Sequence, residues 1–268
     1  MAAPGRPRLG MFTSGLSSLS QSSDPNSPNV SSPAEQRAGA KANMFQAMRL
    51  PTQHVWVLYF DKQAKDQKKT DDGSYQVHFE QLGEDIKSVA EFWRYENHIN
   101  VEQMAMRDSI YLFKKGIMPV WEDRRNVLGG SWTFRVPKGL SQEFWRHIQV
   151  MAIGETLEGV LAKGDQLCGV GLSVRFNSHL ISIWHRHSSE QASIDALLDV
   201  VLQSLPENLQ PKADNYFYKK HSDHAGFKAP PELQAVIDSQ KRAQEAAAAS
   251  AKAAASAPAE TEKPAAAE

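Results

Sequence analysis

Seven short runs of β-branched and aromatic residues constrain this chain more than any other feature: 55–60, 75–79, 110–113, 132–136, 168–176, 180–184 and 215–218. Each has the length of a β-strand, and none is long enough to be read as a buried helix. Turn-forming residues separate them: Asp71-Asp72-Gly73, Gly129-Gly130, Pro137-Lys138-Gly139 and Asn177-Ser178-His179. Such spacing predicts hairpins, and therefore mostly antiparallel neighbours.

Three other segments carry a helical period. Ile194, Leu197, Leu198, Val201, Leu202 and Leu205 form one apolar stripe, preceded by Ser188 and Gln191 at the spacing of a capping box. A second helix is expected to begin near Ser141, with Glu143 in its first turn and Phe144, Ile148, Met151 and Ala152 on one side. The third, over 88–99, presents Val89, Phe92 and Trp93. The expectation is an α+β fold, a mostly antiparallel sheet with three amphipathic helices on one face and the other face open to a ligand.

Composition sets the limits of this domain. Residues 1–45 are rich in Ser, Pro, Gly and Ala and predict a disordered tail, 46–230 the folded domain, and 231–268 an Ala-rich tail with transient helix up to Pro258. Arg6 and Arg8 precede the first acidic residue, Asp24, but Pro4 and Pro7 break the amphipathic helix of an organellar leader. No apolar run approaches the roughly 20 residues that span a bilayer. The single cysteine, Cys168, excludes an intrachain disulfide and fits a reducing compartment, so a cytoplasmic place is expected. With 30 Lys+Arg against 31 Asp+Glu the chain has no cationic excess, so any nucleic acid must be recognised locally.

Little supports catalysis. Gly169-Val170-Gly171 lies inside a strand and lacks the third glycine of a dinucleotide loop, so it reads as a close strand crossing. Cys168 reads as an inert core thiol. His185, His187, His221 and His224 lack the carboxylate or Cys spacing of a metal set and are expected to be solvated or phosphate-facing. No metal, cofactor or catalytic residue is assigned.

The six tryptophans are more informative. Trp56, Trp132 and Trp145 read as core. Trp121 differs: Pro119-Val120-Trp121-Glu122-Asp123 follows a strand and leads into Arg124-Arg125-Asn126, which places an indole beside a carboxylate in a loop. An aromatic face attracts a cationic ring, and a carboxylate accepts two donors from one guanine edge. Guanine methylated at N7 carries that charge.

Glu91-Phe92-Trp93-Arg94-Tyr95-Glu96-Asn97-His98-Ile99, Leu112 through Asp123, Gly129-Gly130-Ser131-Trp132, Ser173-Val174-Arg175-Phe176 and Ile181-Ser182-Ile183-Trp184 resemble the translation initiation factor 4E family, over about 51–226. The resemblance implies a curved antiparallel sheet with three helices behind it and the 7-methylguanosine cap of mRNA in its concave face. It implies Trp121 as one slice of an aromatic sandwich, Glu122 as the guanine acceptor, Trp184 near the N7 methyl group and Arg175 on the phosphates.

Tyr75 stands for the second slice, where the best-known branch has Trp, and Leu180 stands where that branch has a phosphate-binding lysine. Tyr75, together with Ser173-Val174-Arg175-Phe176 and Ile181-Ser182-Ile183-Trp184, resembles the class II branch, the 4E-homologous protein. Arg186, Lys219 or Lys220 could replace the missing lysine. Val89, Trp93, Val150 and Gly154 match the dorsal groove that takes a helical motif of an initiation scaffold, factor 4G-like, or of a 4E-binding repressor. A monomer that does not bind membranes is expected. The alternatives are an adaptor whose cap pocket is vestigial and a cap-processing enzyme, which would need a base or metal not found here.

Overall fold

Alternation along the strands builds two unlike faces. The computed structural model of the chain describes residues 50–62 and 79–255, with Ser32, Arg37 and Gly39 besides. Contacts divide the chain into Met1–Met48 and Arg49–Glu268, and all named elements lie in the second unit. Its strands are β1 (Pro51–Asp61), β2 (Phe79–Gln81), β3 (Ile86–Ser88), β4 (Ser109–Lys114), β5 (Gly130–Val136), β6 (Leu167–Val174), β7 (His179–His185) and β8 (Tyr216–Lys220). They form one curved sheet in the order β2-β1-β4-β6-β7-β5-β8, with β3 on β1, and every pairing is antiparallel.

Three helices cover the convex face: α1 (Val89–Glu96), α2 (Lys138–Ile153) and α3 (Gln191–Ser204). Leu58, Leu112, Leu172, Ile181 and Phe134 meet Phe92, Phe144, Trp145, Ile148, Leu197 and Val201 in a single core. Trp56 and Trp145 are fully buried there, and the Trp132 indole N–H donates to the Ile194 carbonyl at 2.8 Å. The expected α+β architecture is the observed one. A fourth helix, α4 (Pro231–Ala255), follows the last strand.

Local signals failed where tertiary contacts claimed the same groups. Ser88 caps α1 as a serine should, accepting from Glu91 N–H at 3.3 Å, while the Glu91 carboxylate accepts from Lys87 N–H at 2.8 Å. The box expected at Ser188 does not form: Ser188 donates to the Leu128 carbonyl, and α3 starts at Gln191 without a side-chain cap. Helix α2 begins at Lys138, before the expected start. Ser141 is an interior residue, donating to the Lys138 carbonyl and meeting His179 Nδ1 at 2.7 Å. Pro137-Lys138-Gly139 therefore opens a helix and turns no hairpin. Gly129-Gly130 serves close packing, because a Cβ would lie 2.1 Å from the His185 carbonyl at Gly129 and 2.2 Å from the Tyr218 hydroxyl at Gly130. The run at 75–78 lies outside the described residues.

Candidate nucleotide-binding site

Cross-strand partners point to the same side of a sheet, so the register spells out the concave face. Three rows cross it: Val57, Phe113, Gly169, Trp184, Ser131 and Lys219; then Tyr59, Tyr111, Gly171, Ser182, Thr133 and Phe217; then Asp61, Ser109, Ser173, Leu180 and Arg135. Small residues lie beside rings for a steric reason. A Cβ at Gly169 would be 2.4 Å from the Phe113 ring and at Gly171 2.5 Å from that of Tyr111. These glycines let the Phe113 and Tyr111 rings approach the backbone of β6, and no phosphate loop is involved. Val57, Tyr59, Phe113, Ile117, Cys168 and Trp184 make a second, smaller core on this side, with Trp121 packed against it. Burial pushes the Cys168 thiol up to about 12, which leaves it an inert core group.

The loop after β4 presents Trp121 and Glu122, and two side chains hold its shape. Fully buried Asn126 donates through Nδ2 to the carbonyls of Met118 at 2.7 Å and Val120 at 2.9 Å. The Asp123 carboxylate accepts from Met118 N–H at 3.1 Å and Arg125 N–H at 2.8 Å. Bracketed in this way, Trp121 is half-buried, and the Glu122 carboxylate has no hydrogen-bond or ion-pair partner among the described residues. Across the site, the Trp184 N–H donates to Ser182 Oγ at 3.0 Å, and its ring meets the Phe113 ring edge-on at 5.4 Å.

Cationic side chains flank these rings. Lys219 shares a row with Trp184, whereas Lys220, opposite Gly130, belongs to the other face and lines a small cavity beside α4. Arg186 follows β7, its N–H bound to the Asp165 carboxylate at 3.1 Å. Arg175 is exposed just after β6, its guanidinium donating to the Val174 carbonyl at 2.8 Å. Arg135, not singled out from the sequence, is the direct cross-strand partner of Leu180 and lies over the Phe217 ring at 5.0 Å. Tyr75 lies outside the described residues.

Residues 51–235 match the profile of the eukaryotic initiation factor 4E family. The chain belongs to that family. Among similar family proteins are the Caenorhabditis elegans eukaryotic translation initiation factor 4E-4, 35% identical over 142 residues, which are 52% of this chain and 62% of that one. The rice (Oryza sativa subsp. japonica) eukaryotic translation initiation factor NCBP is 30% identical over 156 residues, 58% of this chain and 65% of that one. These matches span under two thirds of the relatives' own length. Among solved 4E structures, the C. elegans eIF4E-3 complex with the 4E-binding protein Mextli and a cap analogue has a TM-score of 0.55 at 28% identity, covering 65% of this chain and 94% of that one. Ascaris suum eIF4E-3 with m7G cap has a TM-score of 0.53 at 27% identity, covering 69% and 96%.

The dorsal helices of this 4E-family chain form a second surface. Buried Glu96 on α1 joins them, accepting from Arg146 at 3.1 Å and Gln149 at 2.6 Å on α2; burial pushes its carboxyl up. Trp93 and Val150 stay 37% and 42% exposed on the two helices, unusual for side chains of that size beside a core. Val89 is half-buried and Gly154 exposed. Val89 N–H donates to the carbonyl of Leu50, whose side chain is also exposed.

The histidines depart from expectation. His185 is fully buried, its Nδ1 2.7 Å from the Asp165 carboxylate and its Nε2 2.7 Å from the Tyr218 hydroxyl, an internal brace between β7 and β8. His221 is fully buried too, with its ring 4.3 Å from that of Trp184. His224 stacks on Trp121 at 4.1 Å and 9°. His221 is shut off from solvent and His224 is half-buried, and the sequence offered no periodic signal for them because both follow the last strand. Among the described residues no cluster of His, Cys, Asp and Glu is arranged to hold a metal ion.

Proposed function

We propose that this chain binds the 7-methylguanosine cap of mRNA in its concave face and acts by occupancy, without catalysis, in translation initiation or its repression. The observation that carries this reading is the convergence of Trp121, the uncommitted Glu122 carboxylate and Trp184 on one face of the sheet, with Lys219, Arg135 and Arg175 along the same face. Trp121 stacks on the methylated base, worth about 1–3 kcal/mol for an aromatic platform, and the positive charge adds a cation–π attraction of about 0.5–2 kcal/mol. Glu122 accepts from guanine N1 and N2, Trp184 packs near the methyl group, and Tyr75 is the second slice.

The triphosphate runs from Lys219 toward Arg175. Arg135 supplies the charge that Leu180 lacks, since the two are cross-strand neighbours, and Arg186 stands beyond the end of β7. Of the two lysines, Lys219 is the better placed, because it shares the row of Trp184. Tyr75, with Ser173-Val174-Arg175-Phe176 and Ile181-Ser182-Ile183-Trp184, supports the class II branch of the family. The exposed Trp93–Val150 surface, with Val89 and Gly154, takes a helical motif of a scaffold or repressor protein; the C. elegans relative that carries Mextli supports a protein partner for this fold. Family membership supports a cytoplasmic place and a non-catalytic role, and we take the chain to be a monomer.

Titration of tryptophan fluorescence with 7-methyl-GTP and, separately, GTP tests the reading. Saturable quenching much stronger with the methylated base is the expected result. Absence of a response to either, with a dorsal partner still bound, would turn the protein into an adaptor with a vestigial pocket.

A further inference from the structure

The two indoles of the site are not bare. His224 lies on Trp121 at 4.1 Å with the planes 9° apart, the geometry of a base stacked on an indole. His221 covers Trp184 at 4.3 Å, and the two imidazoles are 6.3 Å apart. Both come from one turn. His221 N–H is anchored to the Gly129 carbonyl at 3.0 Å, and the chain then runs without regular structure from His224 to the start of α4 at Pro231. Gly226, at φ +89°, gives that strap a residue that adopts the left-handed region freely.

The rings are held there with polar atoms unused. Among the described residues, both nitrogens of His221 and Nε2 of His224 are buried without a hydrogen-bond partner. Burial keeps both rings neutral, that of His224 down to about 4. A buried polar atom without a partner is costly, so this arrangement is poised to exchange for one that returns the atoms to water. The neighbouring rings of the concave face are packed differently, edge-on to one another, as in Phe113 against Trp184 and Phe79 against Tyr111. The stack on Trp121 is therefore a feature of the turn and not of the aromatic cluster at large.

We infer that His224 is a resident stand-in for the cap base, occupying the face of Trp121 that the base requires, so that the turn carrying it sets cap affinity. The inference rests on the cap-binding reading above. Ligand then binds only the fraction of molecules whose turn has swung aside, and apparent affinity falls by that fraction. A stand-in of this kind acts on every base that would use the face. It lowers affinity for 7-methyl-GTP and GTP by the same factor and leaves their ratio alone, whereas a residue that touches the methyl group changes the ratio.

The experiment uses the full chain, its His224→Ala and His224→Phe variants, and 7-methyl-GTP and GTP as ligands, with association rates from stopped-flow fluorescence. His224→Ala is expected to tighten both ligands about 3- to 10-fold, the size of one aromatic stack, mainly through faster association. His224→Phe, which keeps a stacking ring, is expected to bind as weakly as the parent or more so. Parent binding that His224→Ala leaves unchanged or weakens, or a change in the methyl selectivity ratio, would overturn the inference.

A ligand-free arm separates the two failures. The fluorine resonance of 5-fluorotryptophan at position 121, assigned by its loss in Trp121→Phe, should shift in His224→Ala and stay near its parent position in His224→Phe. A resonance that does not move overturns the stack itself. A resonance that moves while no form of the protein binds either nucleotide overturns the cap-binding reading, and with it the role given to His224.

Discussion

The two faces of one sheet are built from the same strands on opposite principles. On the convex side, Leu58, Leu112, Leu172, Ile181 and Phe134 are sealed by three helices into a core that solvent does not reach. On the concave side, glycine and serine alternate with aromatic rings, Trp121 and Glu122 stand partly exposed, and two imidazoles from a single turn cover the indoles. The first arrangement converts apolar area into stability. The second keeps flat rings and uncommitted acceptors at the surface, where a ligand finds them.

The sharpest way to break this division is to exchange the losses. Trp145→Ala on the convex side removes a fully buried indole and is expected to cost about 3–5 kcal/mol in denaturant unfolding, with the affinity of the folded fraction for 7-methyl-GTP unchanged. Trp121→Ala should do the reverse, weakening 7-methyl-GTP binding by about 1–3 kcal/mol while thermal unfolding moves little. Equal binding by parent and Trp121→Ala would remove that indole from the site. Gly171→Ala tests a place where the concave face is packed like a core: the new Cβ meets the Tyr111 ring, and a loss of about 1–3 kcal/mol of stability is expected. A variant as stable as the parent would show that the ring does not need the glycine.

Two smaller effects sharpen the comparison. His221 faces Trp184, His224, His185 and the Gly129 carbonyl, and burial first, then its histidine neighbours, holds its pKa well below 6.5. The unfolded chain then binds a proton that the folded chain refuses, so this residue's contribution is intact above about pH 6.5 and is lost as pH falls below it. His221→Phe should therefore gain about 1 kcal/mol at pH 7.5, and its advantage over the parent should widen from pH 6.5 to 5 in paired melts. A gap that stays constant with pH would mean that His221 takes up its proton in the folded state. Least of all, Arg135→Ala should weaken 7-methyl-GTP by a few-fold but leave 7-methylguanosine unchanged, with the difference shrinking at high salt. Equal losses for both ligands would place Arg135 away from the phosphates.

Much of this was legible before the structure. The runs at 55–60, 110–113, 132–136, 168–176, 180–184 and 215–218 became strands because β-branched and aromatic residues at period two suit a sheet whatever lies beyond it. Ser88 capped its helix because its partner is only three residues away. Ser188 did not: its N–H and hydroxyl both donate to the carbonyl of Leu128, sixty positions distant, and the helix starts at Gln191, beyond the reach of a cap at Ser188. Arg135 gave no sign of itself in the chain: only the β5–β7 register sets it beside Leu180. The histidines read as solvated for the same reason, as burial is a property of what packs on a residue and not of its neighbours in the chain.

Residue order alone determined the alternation, the helical stripes and the pairing of Trp121 with Glu122, all of which depend on spacings of a few residues. Tertiary structure decided which face each strand turned to the helices, which cations line the concave side, and that His224 lies on Trp121. Those outcomes depend on contacts between segments far apart in the chain, where hard-sphere fit and the pairing of buried polar atoms choose among arrangements that local preference leaves equal.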